Sequence, residues 1–141
     1  HEEFSSSYGM SVSADGRQLL LSLFDDHGDN FVVSSLDSAD KPILRLRPQP
    51  FAYVTLAAWL PDGRSLLFAG GVRHPGGDHY DYNVYRLTIG TGDIVPLTQF
   101  TGTFNGLHVS SDGTKAVVLY QKAYHIIDIA THQVTQVPLK L

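Results

Sequence analysis

Three short segments of the chain repeat one another in register, and this repetition constrains the fold more than any other feature. Ser13-Ala14-Asp15-Gly16-Arg17 is answered by Leu60-Pro61-Asp62-Gly63-Arg64 and again by Ser110-Ser111-Asp112-Gly113-Thr114. The Asp-Gly pairs stand 47 and then 50 residues apart. The flanks follow the same register. Met10, Ala57 and Leu107 correspond before the turns, as do Val12, Trp59 and Val109. After the turns come Leu19-Leu20-Leu21, Leu66-Leu67-Phe68 and Ala116-Val117-Val118. One earlier position agrees only in part, with Gly9 and Gly106 but Leu56 in the middle unit. A repeat of this length is the mark of an architecture built by stacking equivalent units.

Each Asp-Gly lies between two apolar runs, which predicts a hairpin because glycine tolerates the positive φ of a tight turn. Two further strands complete each unit. In the second they are Val84 to Thr88 and Ile94 to Leu97, joined through Gly90-Thr91-Gly92-Asp93. In the third they are Tyr124 to Ile129 and Val134 to Leu139, and in the first Phe31 to Leu36 and Ile43 to Leu46. Twelve short strands and no helical period follow from this pattern. Four antiparallel strands per repeat of roughly 40–50 residues predict an all-β chain of three β-propeller blades. The blades fall at about 5–47, 51–98 and 102–141 of one propeller-type domain.

The residues also resemble a known family. Ala58-Trp59-Leu60-Pro61-Asp62-Gly63-Arg64-Ser65-Leu66-Leu67-Phe68 is similar to the core of the TolB-type, WD-repeat-like propeller repeat. Asn83-Val84-Tyr85-Arg86-Leu87 and Pro96-Leu97-Thr98 resemble its later strands. The likeness is best in the second unit. It departs at Leu60, where the family has Ser, and at Ala14 and Ser111, where it has Pro. The resemblance implies a scaffold of the kind found in periplasmic interaction proteins, in non-catalytic propellers attached to peptidases, and in sensor domains. With the absence of Cys, it leans towards a bacterial extracytoplasmic setting.

Composition narrows the function classes. Ten Lys and Arg against fourteen Asp and Glu give a formal charge of −4, which argues against a nucleic-acid groove. The chain has no Cys, so it has neither disulfides nor thiolate metal sites. No apolar run is long enough to insert into a membrane, and His1-Glu2-Glu3 lacks the layout of a signal peptide. Three blades do not close a ring of the usual four to eight. Their end faces are therefore expected to be covered by further blades of a larger chain, or by a second copy completing six. Phe4 to Tyr8 reads as an inter-blade linker like Phe100 to Asn105.

Strand order places the links from strand two to three, and from strand four to the next blade, on one rim. The long loops of that rim are Asp25 to Asn30, Arg47 to Ala52, Gly70 to Tyr82 and Thr98 to Thr103, and long loops are where function concentrates. The candidate partner-binding residues are Asp25, Asp26, His27, Asp29, His74, Asp78, His79, Tyr80, Asp81 and Tyr82. Tyr80 and Tyr82 share one side of an extended segment and Tyr85 takes the other. Carboxylates with imidazoles are also metal-ligand types. The spacing matches no defined ligand motif, however, and Asp, Asn and Gly are ordinary turn residues. No metal and no cofactor is therefore expected. Neither a Gly-x-Ser-x-Gly elbow nor a Ser partner for His108 is evident, and Gly70-Gly71 and Gly76-Gly77 lack the Lys-Ser/Thr of a phosphate loop. Trp59 is expected in the core between blades. The expectation is a non-enzymatic scaffold for protein or peptide partners. The alternatives are an accessory propeller segment of a hydrolase or peptidase, or a sugar- or metal-binding sensor module.

Overall fold

The computed structural model describes residues 6–13, 15–25, 28–36, 42–46, 51 and 53–138, with backbone alone at 6–10, 22–25, 28–30 and 42–46. Twelve strands and no helix appear among them. The first four are β1 (Ser6–Val12), β2 (Gln18–Asp25), β3 (Gly28–Ser35) and β4 (Pro42–Leu46). Then come β5 (Tyr53–Trp59), β6 (Ser65–Arg73), β7 (Tyr80–Thr88) and β8 (Ile94–Pro96). The last are β9 (Asn105–Val109), β10 (Lys115–Tyr120), β11 (Ala123–Asp128) and β12 (Val134–Pro138). They form three four-stranded antiparallel sheets in sequential order, β1 to β4, β5 to β8 and β9 to β12.

The Asp-Gly segments are the turns between the first two strands of each sheet. Gly16, Gly63 and Gly113 hold φ of +73°, +68° and +74°. Asp15, Asp62 and Asp112 each accept the backbone N–H two residues on, at 3.0, 2.9 and 3.0 Å. This local carboxylate-to-backbone bond is why Asp precedes the glycine in every unit.

Packing follows strand periodicity. On β6, Leu66 and Phe68 face the first sheet, where they meet Leu20, Phe31 and Val33. Leu67 and Ala69 face the third, against Ala116, Val118 and Ile127. A strand covered on both faces reads as an unbroken apolar run, and all of Ser65 to Gly71 is buried. Phe31, Phe51 and Tyr85 surround Phe68, with ring centroids 5.2, 5.4 and 5.5 Å from its own. Trp59 is buried beside them, and its Nε1–H donates to the Ser11 carbonyl across the sheets at 3.1 Å.

The inner strands carry bulges. Leu56 and Ala57 together oppose Phe68, and Gly106 and Leu107 oppose Val118, with Leu56 at φ +53° and Gly106 at +71°. A left-handed residue opening a two-against-one bulge is a glycine position, which accounts for the imperfect match at Leu56.

Three expectations are corrected. The segment Phe4 to Tyr8 is not a linker throughout, because Ser6 to Tyr8 belong to β1, where Ser6 pairs with Phe24 and Ser7 with Leu23. Asp25 to Asn30 is not a long loop, because Asp25 pairs with Gly28 and Phe24 with Asp29. Gly70 to Tyr82 is likewise mostly strand, with Gly71 paired to Tyr82 and Arg73 to Tyr80. Gly70 and Gly71 make room for aromatic rings. A Cβ at Gly70 would come within 2.7 Å of Phe51, and one at Gly71 within 2.8 Å of Tyr82.

Candidate functional site

The tip of the β6–β7 hairpin is the best-defined polar constellation among the described residues. His74-Pro75-Gly76-Gly77 makes the turn, with Gly77 N–H donating to the His74 carbonyl at 3.1 Å. Proline second and a glycine at φ +75° third is the residue order of a type II turn. A second backbone bond, from His74 N–H to the His79 carbonyl at 2.8 Å, closes the hairpin beneath it. Arg73 Nε–H donates to the Gly77 carbonyl at 3.1 Å.

This frame brings together His74, His79 and Asp81. Asp81 Oδ2 is hydrogen-bonded to His74 Nδ1 at 2.6 Å, and Asp81 Oδ1 lies 3.8 Å from His79 Nε2. The two imidazoles stack, with centroids 4.5 Å apart and planes inclined by 20°. Their side chains are 36% and 52% exposed, whereas that of Asp81 is only 19% exposed. Gly77 lies against both rings, since a Cβ there would sit 3.2 Å from His79 and 3.5 Å from His74.

Asp81 is anchored from the neighbouring connection. The Gly102 N–H donates to its Oδ1 at 2.9 Å. That bond, followed by the one to His74, holds the Asp81 carboxyl below the usual carboxylate range. Tyr82 N–H donates to the Gly102 carbonyl at 2.9 Å. Asn83 continues the seam by accepting from the Thr98 hydroxyl at 2.7 Å and from the Phe100 N–H. The hairpin tip and the connection between the second and third sheets therefore share one end of the molecule, as the strand order predicts.

The remaining candidates separate. Asp78 is exposed at the turn and lies outside the His-Asp cluster. Tyr80 is half-buried, and its ring meets Tyr53 edge-on at 5.1 Å. Tyr82 packs against the core between the second and third sheets, and Tyr85 packs on the opposite side, so the strand splits them as alternation requires. Asp25 and Asp29 are at the β2–β3 end, on backbone alone, and Asp26 and His27 lie outside the described residues. Thr98 and Gly102 lie in the Thr98 to Thr103 loop expected on this rim, whereas Asn83 and Tyr53 were not anticipated from the sequence.

At the opposite end, a groove of about 290 Å³ lies between the second and third sheets, lined by Pro61, Asp62, Arg86, Asp112, Thr114 and Asp128 among others. Its charges are largely paired internally. Arg86 lies 3.5 Å from Asp62, and Lys115 lies 2.7 Å from Asp128.

These features define a class: tandem four-stranded antiparallel blades of a β-propeller. Solved structures make the type more specific. The chain is similar to TolB from Acinetobacter baumannii, with 23% identity and a TM-score of 0.71 over 94% of this chain and 32% of that one. It is similar to a putative TolB from Agrobacterium tumefaciens, with 18% identity and a TM-score of 0.75 over 95% and 50% respectively. Dipeptidyl peptidase 4 from Porphyromonas gingivalis matches at 16% identity and a TM-score of 0.67, over 99% of this chain and 20% of that enzyme. No family model matches the sequence, and no curated protein does. The fold is that of TolB-type propeller blades, and the chain spans between a fifth and a half of the length of these structures.

Proposed function

We propose that the chain is a non-catalytic propeller scaffold that captures a protein or peptide partner at the end carrying the β6–β7 hairpin. The observation that carries this reading is the Tyr53–Tyr80 ring pair at the end of the hairpin whose tip carries His74, His79 and Asp81, Tyr80 being paired with Arg73 in its last rung. Rigid aromatic anchors ringed by polar groups are the usual make-up of an interaction hot spot. The likeness to dipeptidyl peptidase 4 favours a second reading, in which such blades serve as an accessory segment beside a separate hydrolytic domain.

The partner is recovered by co-purification from the producing cells and identified by mass spectrometry. Tyr53→Ala and Tyr80→Ala are expected to reduce its recovery about tenfold or more, the scale of one hot-spot side chain. The melting temperature should stay close to that of the parent. Equal recovery by both variants would overturn the assignment of this end.

The same reading includes assembly. The outer face of the third sheet presents Val117, Leu119, Tyr124, Ile126 and Val137 on one side, and Tyr124 and Val137 are 45% and 43% exposed. It is the counterpart of the second-sheet face that Ala116, Val118 and Ile127 cover, so a further sheet of the same repeat, from a second copy or a longer chain, suits it.

A further inference from the structure

We propose that His74, His79 and Asp81 bind one divalent ion of the Zn²⁺ class at the tip of the β6–β7 hairpin. This site needs no partner, because its donor set is complete within one hairpin. Two imidazoles and one carboxylate each offer a ligand atom, and these atoms all lie within 4.8 Å of one another. Around a tetrahedral ion with ligands at 2.0–2.2 Å, neighbouring donor atoms stand about 3.3 Å apart. The 2.6 Å contact of His74 with Asp81 Oδ2 has to open slightly, and His79, 3.8 Å from the other oxygen Oδ1 and within 4.8 Å of the rest of the donor set, has to move closer. Both adjustments are side-chain rotations, and the half-exposed His79 ring has the freedom to make its own.

The surroundings suit a ligand set better than a chance surface cluster. The backbone under the ligands is fixed by the two hairpin hydrogen bonds at 2.8 and 3.1 Å. Glycine at 77 leaves the space the two rings occupy. Asp81 already has the outer partner that metal-binding carboxylates use, the Gly102 N–H. The ion takes the place of the hydrogen in the contact between His74 Nδ1 and Asp81 Oδ2, and a neutral His74 then carries its proton on Nε2. Imidazole nitrogen selects Zn²⁺ and its transition-metal neighbours, whereas Ca²⁺ wants six to eight oxygens and finds one carboxylate here. The fourth position is left to water or to an incoming side chain.

Calorimetric titration of the purified chain with Zn²⁺, and separately with Ca²⁺, tests the proposal, alongside melting curves with and without EDTA. One Zn²⁺ per chain is expected, with a rise in melting temperature that EDTA reverses and that Ca²⁺ does not reproduce. His79→Gln is expected to weaken Zn²⁺ binding by more than about tenfold, because even outer-shell losses cost that much. It should leave the metal-free melting temperature unchanged, since the ring is half exposed. His108→Gln, on the exposed β9 histidine, should bind Zn²⁺ as the parent does. The absence of a Zn²⁺ response, or a response that persists in His79→Gln, would overturn the site.

Discussion

The side chains that recur in each unit act locally. Asp112 accepts from the hydroxyls of Ser110 and Thr114, at 2.7 and 2.8 Å, and from the Thr114 N–H. With the Ser110 bond the largest influence, its pKa falls from 3.8 to about 2. A carboxyl depressed in the folded state stabilises it above the unfolded value, and that stabilisation is lost as pH falls from 3.8 to about 2. A carboxyl NMR titration should place Asp112 near the lower value, and Ser110→Ala should move it upward. Gly113 separates two demands. Its φ of +74° matches the +73° of Gly16, but a Cβ would meet Pro61 at 2.7 Å, whereas Gly16 faces open space. Gly16→Ala should cost about 1 kcal/mol for backbone strain. Gly113→Ala should exceed it by about 1–3 kcal/mol of overpacking, read from urea denaturation. Pro61→Ala in the Gly113→Ala background should recover part of that excess. If the two glycine variants cost the same, the third turn does not lean on the second sheet.

At the scale of strands, the sequence was most legible where one physical demand acted alone. The Asp-Gly turns and the twelve strands were readable because turn chemistry and apolar runs agree at those points. Gly70 and Gly71 misled because a glycine that admits Phe51, Tyr85 or Tyr82 looks the same in sequence as one that opens a loop. The ladder therefore runs on to Arg73 paired with Tyr80. The His74–His79–Asp81 cluster was half legible. Its residue types were conspicuous, but the register that stacks the rings depends on where the hairpin turns. The Asn83 seam depends on a connection folding back on β7, which no local pattern encodes. Trp59 was readable as a contact between units, and it yields an element-level prediction. Trp59→Phe removes the bond to the Ser11 carbonyl and part of the ring volume, and should cost about 1–2 kcal/mol in chemical denaturation. Because Trp59 is the only tryptophan, its fluorescence reports the joint between the first and second sheets. Its unfolding transition should coincide with that seen by circular dichroism if the sheets melt as one unit. An earlier fluorescence transition would mean that the first sheet detaches separately.

For the whole molecule, the decisive quantity is apolar surface left on a sheet that has a neighbour on one side only. On the second sheet, Leu67, Ala69 and Val84 are wholly buried because the third sheet covers them. The equivalent positions of the third sheet, Val117, Leu119 and Tyr124, are only partly buried, and a shallow groove of about 240 Å³ opens over them between His108 and Tyr124. Apolar area left in water forfeits about 25 cal/mol per Å², so covering this face with a like sheet is favourable. A second copy is the one source available to the purified chain. Light scattering over a dilution series should therefore show self-association that rises with concentration. Tyr124→Lys and Val137→Lys place charge on two exposed points of this face and should shift the chain towards monomer. They leave the buried residues Ala116, Val118 and Ile127 untouched, so circular dichroism should stay that of the parent. A chain that remains monomeric throughout the series would show that this face does not pair with itself, and that its cover has to come from other blades.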